Sequence, residues 1–334
     1  MSATDDGARC VCVTGMHRSG TSIAARLVQL LGVSLGDPDD LLVPGRDNPA
    51  GYWENRTIKE LDDELLAHCG GSWDQPPVLA PGWEHDPDLD PFRVRAAQAL
   101  AASFGGATPG AVIGWKDPRL SLVLPFWRTV TPVTTTVVVV RDPAEVAESL
   151  RSRNGIDSAQ ASLLWLRYLY AATAADPTHL LVRLDDFFDD LPASLAAMAD
   201  HLGLPPPDGA LTADARTHLD PGLRHHTGFT RSPSQARAPA PAVGGAAASA
   251  PAADPNPLVA LAQEVWAGGT VRLDAVAPII ADALAQGWLR PPIDVEALAR
   301  ARAQVVTLRE TVRRRAAQRA RKEARDRGQQ EGAS

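Results

Sequence analysis

The chain has 334 residues, 45% of them apolar and 22% charged, a globular balance that excludes a wholly disordered or fibrous chain, and the length allows about two domains. A net charge of −7 argues against a general nucleic-acid binder. Three cysteines (Cys10, Cys12 and Cys69) are too few for a disulfide scaffold and form no zinc-type set, so they fit a reducing cytoplasm.

From the N-terminus, a polar start (Met1–Asp6) runs directly into a short apolar strand and reads as lacking a signal peptide. Cys10–Thr14 is that strand, followed by a glycine-bounded turn, Gly15–Ser22. Ile23, Leu27, Leu30 and Leu31 then recur at helical spacing until Gly32. Ile58, Leu61, Leu65 and Leu66 repeat the pattern, ended by Gly70-Gly71. Ala111–Trp115 reads as a second strand. Thr134–Val140 reads as a third, β-branched with no polar alternation, as a parallel strand covered on both faces requires. Asp142-Pro143-Ala144-Glu145 supplies an N-cap, a proline at N1 and a capping-box acid. His179–Leu184 is a fourth strand. Strands alternating with helices predict an α/β fold: a P-loop-like parallel sheet flanked by helices.

Arg231–Pro257, with ten Ala and six Pro, has almost nothing to bury and reads as an extended linker. It divides the chain into a domain at 1–230, a linker at 231–257 and a helical, Arg-rich appendage at 258–334. Residues 294–334 hold eleven basic against six acidic residues. Val305, Leu308 and Val312 lie at heptad spacing there, short of a firm coiled coil. That tail is expected to self-associate, to meet an acidic surface, or to remain a solvated basic helix. No uncharged run reaches the ~18 residues that span a bilayer.

The chemistry concentrates at strand ends. Gly15-Met16-His17-Arg18-Ser19-Gly20-Thr21-Ser22 lies between a buried strand and an amphipathic helix, where backbone N–H groups and the helix N-terminus suit an anion. Thr21 stands where the nucleotide-triphosphate loop has its lysine, and the cation has moved inside the loop to Arg18. Arg18-Ser19-Gly20-Thr21-Ser22 resembles the first binding loop of the sulfotransferases that use 3′-phosphoadenosine 5′-phosphosulfate (PAPS). The resemblance implies that Arg18, Ser19, Gly20, Thr21 and Ser22 wrap the 5′-phosphosulfate, with Arg18 at the bridging oxygen of the leaving group.

That family's second anion site is an Arg ending a buried strand and a Ser eight residues on. Arg141 and Ser149 match it, and would take the 3′-phosphate. The spacing is geometrically sound by itself, because Asp142 and Ser149 are two helical turns apart, and an Arg there can bind phosphate with two parallel hydrogen bonds. A third cation, Lys116 in Gly114-Trp115-Lys116-Asp117-Pro118-Arg119, stands at a strand's carboxyl end, where ligands of open α/β sheets collect. Only three of the 33 basic residues are Lys, so its choice there is informative. The plainer reading is a strand-end Lys paired with Asp117. Tyrosylprotein sulfotransferases carry a similar Lys-Asp-Pro, which implies a place for Lys116 near the transferred group.

For the base, Glu54 in Gly51-Tyr52-Trp53-Glu54-Asn55-Arg56 sits where the tyrosylprotein branch has a Glu opening a helix. Beside two aromatics it could be tuned for proton transfer, or it could simply complement the helix dipole. His17, in the loop itself, His68 and His85 are the alternatives. Trp165 could stack on a base or belong to the core, and Arg224 falls where the family's late loop folds over the nucleotide. The resemblance covers about residues 9–230 and implies a PAPS-dependent transferase needing no metal, with a carbohydrate or other metabolite hydroxyl as acceptor, as bacterial relatives suggest. The rival readings are a P-loop nucleotide kinase, which needs Mg²⁺ and a loop Lys, and a catalytically inactive nucleotide-binding module acting through its basic tail.

Overall fold

Four parallel strands carry the fold, in the order β2-β1-β3-β4. They are β1 (Arg9–Thr14), β2 (Val112–Lys116), β3 (Val133–Val140) and β4 (Leu180–Arg183). The structure, a computed structural model, describes residues 9–45, 48, 51–108, 110–219 and 257–267. Around the sheet lie α1 (Thr21–Leu30), α2 (Arg56–His68), α3 (Asp90–Phe104), α4 (Leu120–Val130), α5 (Pro143–Asn154) and α6 (Ser158–Ala175). After β4 come α7 (Leu184–Asp189), α8 (Leu191–His201), α9 (Gly209–Thr217) and, later, α10 (Pro257–Ala267).

Alternation along β1 divides the core in two. Cys10 and Cys12 face α2, α3, α4 and α6, while Val11 and Val13 face α1 and α8. Both faces are therefore apolar, which is why the parallel strands carry no polar alternation. The sequence boundaries of all four strands hold to within two residues.

Strand order also locates the site. From β1 the chain steps to β2 on one side and then to β3 on the other, so the crossover directions reverse between β1 and β3. Ligands of open α/β sheets bind at such a switch point, outside the carboxyl ends of the strands. Those ends here are Thr14-Gly15 and Val140-Arg141. Gly15, at φ +139°, lies flat against β3: a Cβ there would stand 2.2 Å from the Val139 carbonyl oxygen. Only glycine fits.

Two expectations need correction. Asp142 does cap α5, accepting from the Ala144 N–H at 2.8 Å, but Glu145 does not close a capping box; it accepts from Arg141 Nε at 2.7 Å. The charged guanidinium outcompetes a backbone N–H for that carboxylate. The boundary placed at 257/258 also fails to separate tail from core. Leu258, Ala262 and Val265 of α10 are buried, and α10 packs on α6 and α5. Trp266 sits edge-on to Trp165 at 6.5 Å between ring centroids, and the Arg183 guanidinium lies 3.8 Å over the Trp266 ring. The linker at 231–256, Arg224 and the heptad-spaced Val305, Leu308 and Val312 lie outside the described residues. Among those described, no helix is long and apolar enough to cross a membrane.

Candidate functional site

The loop after β1 has the chemistry to receive an anion. Gly20, the N-cap of α1, is left-handed at φ 91° and supplies no side-chain cap, and the first turn of α1 contains no acid. The helix therefore presents its first N–H groups uncapped, with their partial positive charge. Arg18 also adopts a left-handed backbone, φ 70°, a conformation that costs a non-glycine residue on the order of 1 kcal/mol. Ser19 is wholly buried and its Oγ has no partner among the described residues. An orphaned hydroxyl, an uncapped helix and a strained arginine in eight residues fit an oxyanion well.

Arg18 and the second motif meet. Arg18 Nε donates to Ser149 Oγ at 2.8 Å, across 131 positions of sequence. Arg141 Nη1 donates to the Arg18 carbonyl at 3.3 Å. Arg141 is 8% exposed, and Trp165 Nε1 donates to its carbonyl at 2.9 Å. Trp165 is thus a core residue that holds the strand end. Thr21 is buried at the start of α1.

Ser22 points elsewhere. Its hydroxyl donates to the Tyr52 carbonyl at 3.2 Å and accepts from Asn48 Nδ2 at 3.0 Å. It ties the loop to Asn48 and to the backbone of Tyr52, a role that spacing could not reveal because the partner is a backbone oxygen 30 residues away. Ser121, which sequence reading passed over, holds the root of the same loop: Ser121 Oγ accepts from Gly15 N at 3.2 Å and pairs with Thr14 Oγ1 at 2.8 Å. Its signal was slight, a serine three residues after a proline at a helix start.

Lys116 ends β2 one place beside Thr14, since Val13 pairs with Lys116 in the parallel register. Its ammonium donates to Glu54 Oε1 at 2.6 Å and to the Tyr52 carbonyl at 3.2 Å. Both side chains of that ion pair are buried, at 3% and 9% exposure. Asp117 takes Arg119 instead, accepting at 2.9 Å from Nη1. Glu54 is not the cap of α2 either; Asn55 is, accepting from the Ile58 N–H at 3.0 Å. The pair joins a cation and a carboxylate 62 residues apart, and the Tyr52 carbonyl links it to Ser22 of the loop after β1.

His17 packs its ring against Trp73, with centroids 4.5 Å apart, and edge-on to Tyr168 at 5.8 Å. Burial, reinforced by Arg119, Lys116, Arg153 and Arg18, holds the imidazole well below its ordinary range, so the ring is neutral. Trp73 covers this loop residue, held by its carbonyl, which accepts from the Tyr168 hydroxyl at 2.7 Å. Behind the site, burial lifts Asp117 to about 6 despite Arg119, and burial together with Asp117 pushes Asp62 well above the carboxylate range. Asp62 Oδ2 and Asp117 Oδ2 both lack partners among the described residues. His68 packs on Phe92, and His85 lies exposed in the Trp83–His85 turn. Among the described residues, no group of three or more His, Cys, Asp or Glu could hold a metal ion.

No protein-family model and no curated protein matches this chain. Among solved structures, the chain is similar to sulfotransferase STF1 from Mycobacterium tuberculosis H37Rv, at 18% identity over 63% of this chain and 71% of that one, with a TM-score of 0.40. The sulfotransferase domain of the Synechococcus PCC 7002 olefin synthase is similar at 17% identity, over 66% and 83% of the two chains, with a TM-score of 0.33. Retinol dehydratase, solved with androsterone and the inactive cofactor PAP, is similar at 18% identity over 63% and 64%, with a TM-score of 0.32.

Proposed function

We propose that residues 1–230 form a sulfotransferase that moves a sulfuryl group from PAPS to an acceptor hydroxyl, of a carbohydrate or another metabolite. The observation that carries this reading is the meeting of Arg18, Ser149 and Arg141 at one loop. A nucleotide with a single phosphate group needs one anion cradle; a 3′,5′-substituted nucleotide needs two, side by side. Arg18 with the loop N–H groups and Ser19 would hold the 5′ end, and Arg141 with Ser149 the 3′-phosphate.

In the transfer, the acceptor oxygen forms a new bond to sulfur as the bond from sulfur to the bridging phosphate oxygen breaks. The electron pair remains on that oxygen, where Lys116 and Arg18 would stabilise it; fixed donors of this kind are worth on the order of 3 kcal/mol each. Glu54 would take the acceptor's proton and become a carboxyl. Alignment of the two oxygens about sulfur contributes much of the remaining acceleration. A nucleotide kinase would need a loop lysine, and this loop has Thr21 in that place.

A thermal-shift panel tests the reading. 3′-Phosphoadenosine 5′-phosphate (PAP) is expected to raise the melting temperature without metal, by the equivalent of about 2.7 kcal/mol at ~100 times its Kd. AMP, lacking the 3′-phosphate, should shift it far less. Equal shifts from PAP and AMP, or a response only to ATP with Mg²⁺, would overturn the assignment.

A further inference from the structure

The contacts of α10 gather around one residue of the site. Leu258, Ala262 and Val265 recur at i, i+4 and i+7 and form its buried stripe, which packs on α6 and α5. Such a stripe is what seats an amphipathic helix. Gln263 and Trp266, three positions apart and half-buried, lie beside it and reach further. Trp266 stands edge-on to Trp165, with ring centroids 6.5 Å apart, and carries the Arg183 guanidinium 3.8 Å over its ring. Gln263 Nε2 reaches Asp142 Oδ1 at 3.4 Å, the oxygen that also accepts from the Ala144 N–H at the start of α5.

Each of those three partners is one step from Arg141. Trp165 Nε1 donates to the Arg141 carbonyl at 2.9 Å. Asp142 is the next residue, and it caps the helix that bears Glu145 and Ser149. Arg183 ends β4 opposite Val140 in the parallel register. Arg141 itself stands one residue past the end of β3, beyond the last rung of the ladder, so its direction depends on what holds its carbonyl and its neighbours. We propose that Gln263 and Trp266 are positioning residues for the second anion site: acting through Asp142, Trp165 and Arg183, they fix the strand end from which Arg141 reaches the 3′-phosphate. The inference rests on the nucleotide reading above. Neither residue needs to touch the nucleotide, and neither makes or breaks a bond. Two parallel hydrogen bonds from a guanidinium to a phosphate tolerate little error in direction. A loosened strand end therefore costs affinity for a nucleotide with a 3′-phosphate and spares one without it. The coupling is reciprocal: if docked α10 favours the 3′-phosphate, the 3′-phosphate favours docked α10.

Two measurements on the full chain read the two directions. Hydrogen exchange on the wild type, at matched saturation with PAP or AMP, is expected to show the α10 amides slowed about threefold or more by PAP and hardly at all by AMP. Titration calorimetry on Trp266→Ala is expected to show PAP binding weakened about fivefold or more, with AMP changed less than about twofold. Trp266→Phe keeps an aromatic edge for Trp165 and a face for Arg183, and should retain most of the wild-type ratio of the two affinities. Leu195→Ala separates positioning from general loss of stability. Leu195 is buried in the core on the other face of the sheet, so its truncation lowers the melting temperature through a cavity and should leave the ratio alone. Equal slowing of α10 by both nucleotides overturns the proposal, and so does an equal effect of Trp266→Ala and Leu195→Ala on the ratio. The exchange measurement needs no variant, so it decides the matter even where Trp266→Ala fails to fold. Absence of PAP binding by the wild-type chain overturns the nucleotide reading and this inference with it. PAP binding without selective protection of α10 overturns this inference alone.

Discussion

Arg141→Ala separates a 3′-phosphate ligand from a structural arginine. The side chain is 9% exposed and its Nε is committed to Glu145, while Nη1 reaches the Arg18 carbonyl. A hydrogen bond to a charged partner contributes about 1.5–3 kcal/mol, so loss of the guanidinium should weaken PAP binding roughly 10- to 150-fold. AMP has no 3′-phosphate and should lose little. The complication is the contact with Arg18, because a relaxed loop would weaken both ligands alike. The ratio of the two affinities is therefore the measurement, made by calorimetry on the same preparation. Glu145, 23% exposed, loses its partner, at a stability cost of about 1 kcal/mol that a melting curve will show. An unchanged PAP-to-AMP ratio, with both affinities reduced, would refute the second anion site and leave Arg141 as a brace for the loop.

Glu54→Gln should lower kcat by about 10²-fold or more in single-turnover sulfuryl transfer; normal turnover would leave Glu54 as the partner of Lys116 only. Asp117 is raised to about 6 in the folded protein, against about 4 in the unfolded chain. The folded form alone then keeps its proton between those values, so this group's contribution is fully present below pH 4 and is lost as pH rises through 6. The loss is roughly 3 kcal/mol, and Asp117→Asn should remove that part of the pH slope in urea titrations at pH 4 to 7; an unaltered slope would refute it. Ending the chain at Pro233 deletes α10, which packs on α6 and α5, and removes the burial of Leu258 and Val265, worth about 3–6 kcal/mol before ordering costs. A marked fall in melting temperature is expected, and an unchanged one would refute a structural role for α10.

What could be read from the sequence divides by the range of the interaction. β3 announces itself because four consecutive valines leave no polar face, and the loop after β1 because glycines and a cation sit where strand gives way to helix. Such signals are local. α4 gives none: Leu120, Leu122, Val123, Leu124, Phe126 and Trp127 are all buried, and Pro125 lies inside the helix. Its first eight residues are apolar but for Ser121 and Pro125, and so short an apolar run does not by itself tell helix from strand. α6 is hidden as well, buried around most of its circumference from Ala161 to Thr173. α10 reads from the sequence as part of an appendage because the Ala/Pro-rich stretch before it looks like a boundary, although composition constrains only whether that stretch packs, not where the next helix returns.

The site shows the same division more sharply. Strand ends and the family resemblance together single out Arg18, Arg141, Ser149, Lys116 and Glu54 one by one, as expectations. Position and resemblance do not decide partners, and partners determine the chemistry. Lys116 has two acids within reach of a plausible guess, Asp117 next to it and Glu54 at a distance of 62 residues. The neighbour is captured by Arg119, which follows it by two positions on a tight turn and binds it through both the backbone N–H and the guanidinium, at 2.8 and 2.9 Å. That capture leaves Lys116 to the distant carboxylate. The Pro118-Arg119 pair thereby does for the site what no catalytic motif records: it keeps the adjacent acid occupied, so that Lys116, among the described residues the one lysine at a strand end, turns to Glu54 and the Tyr52 carbonyl.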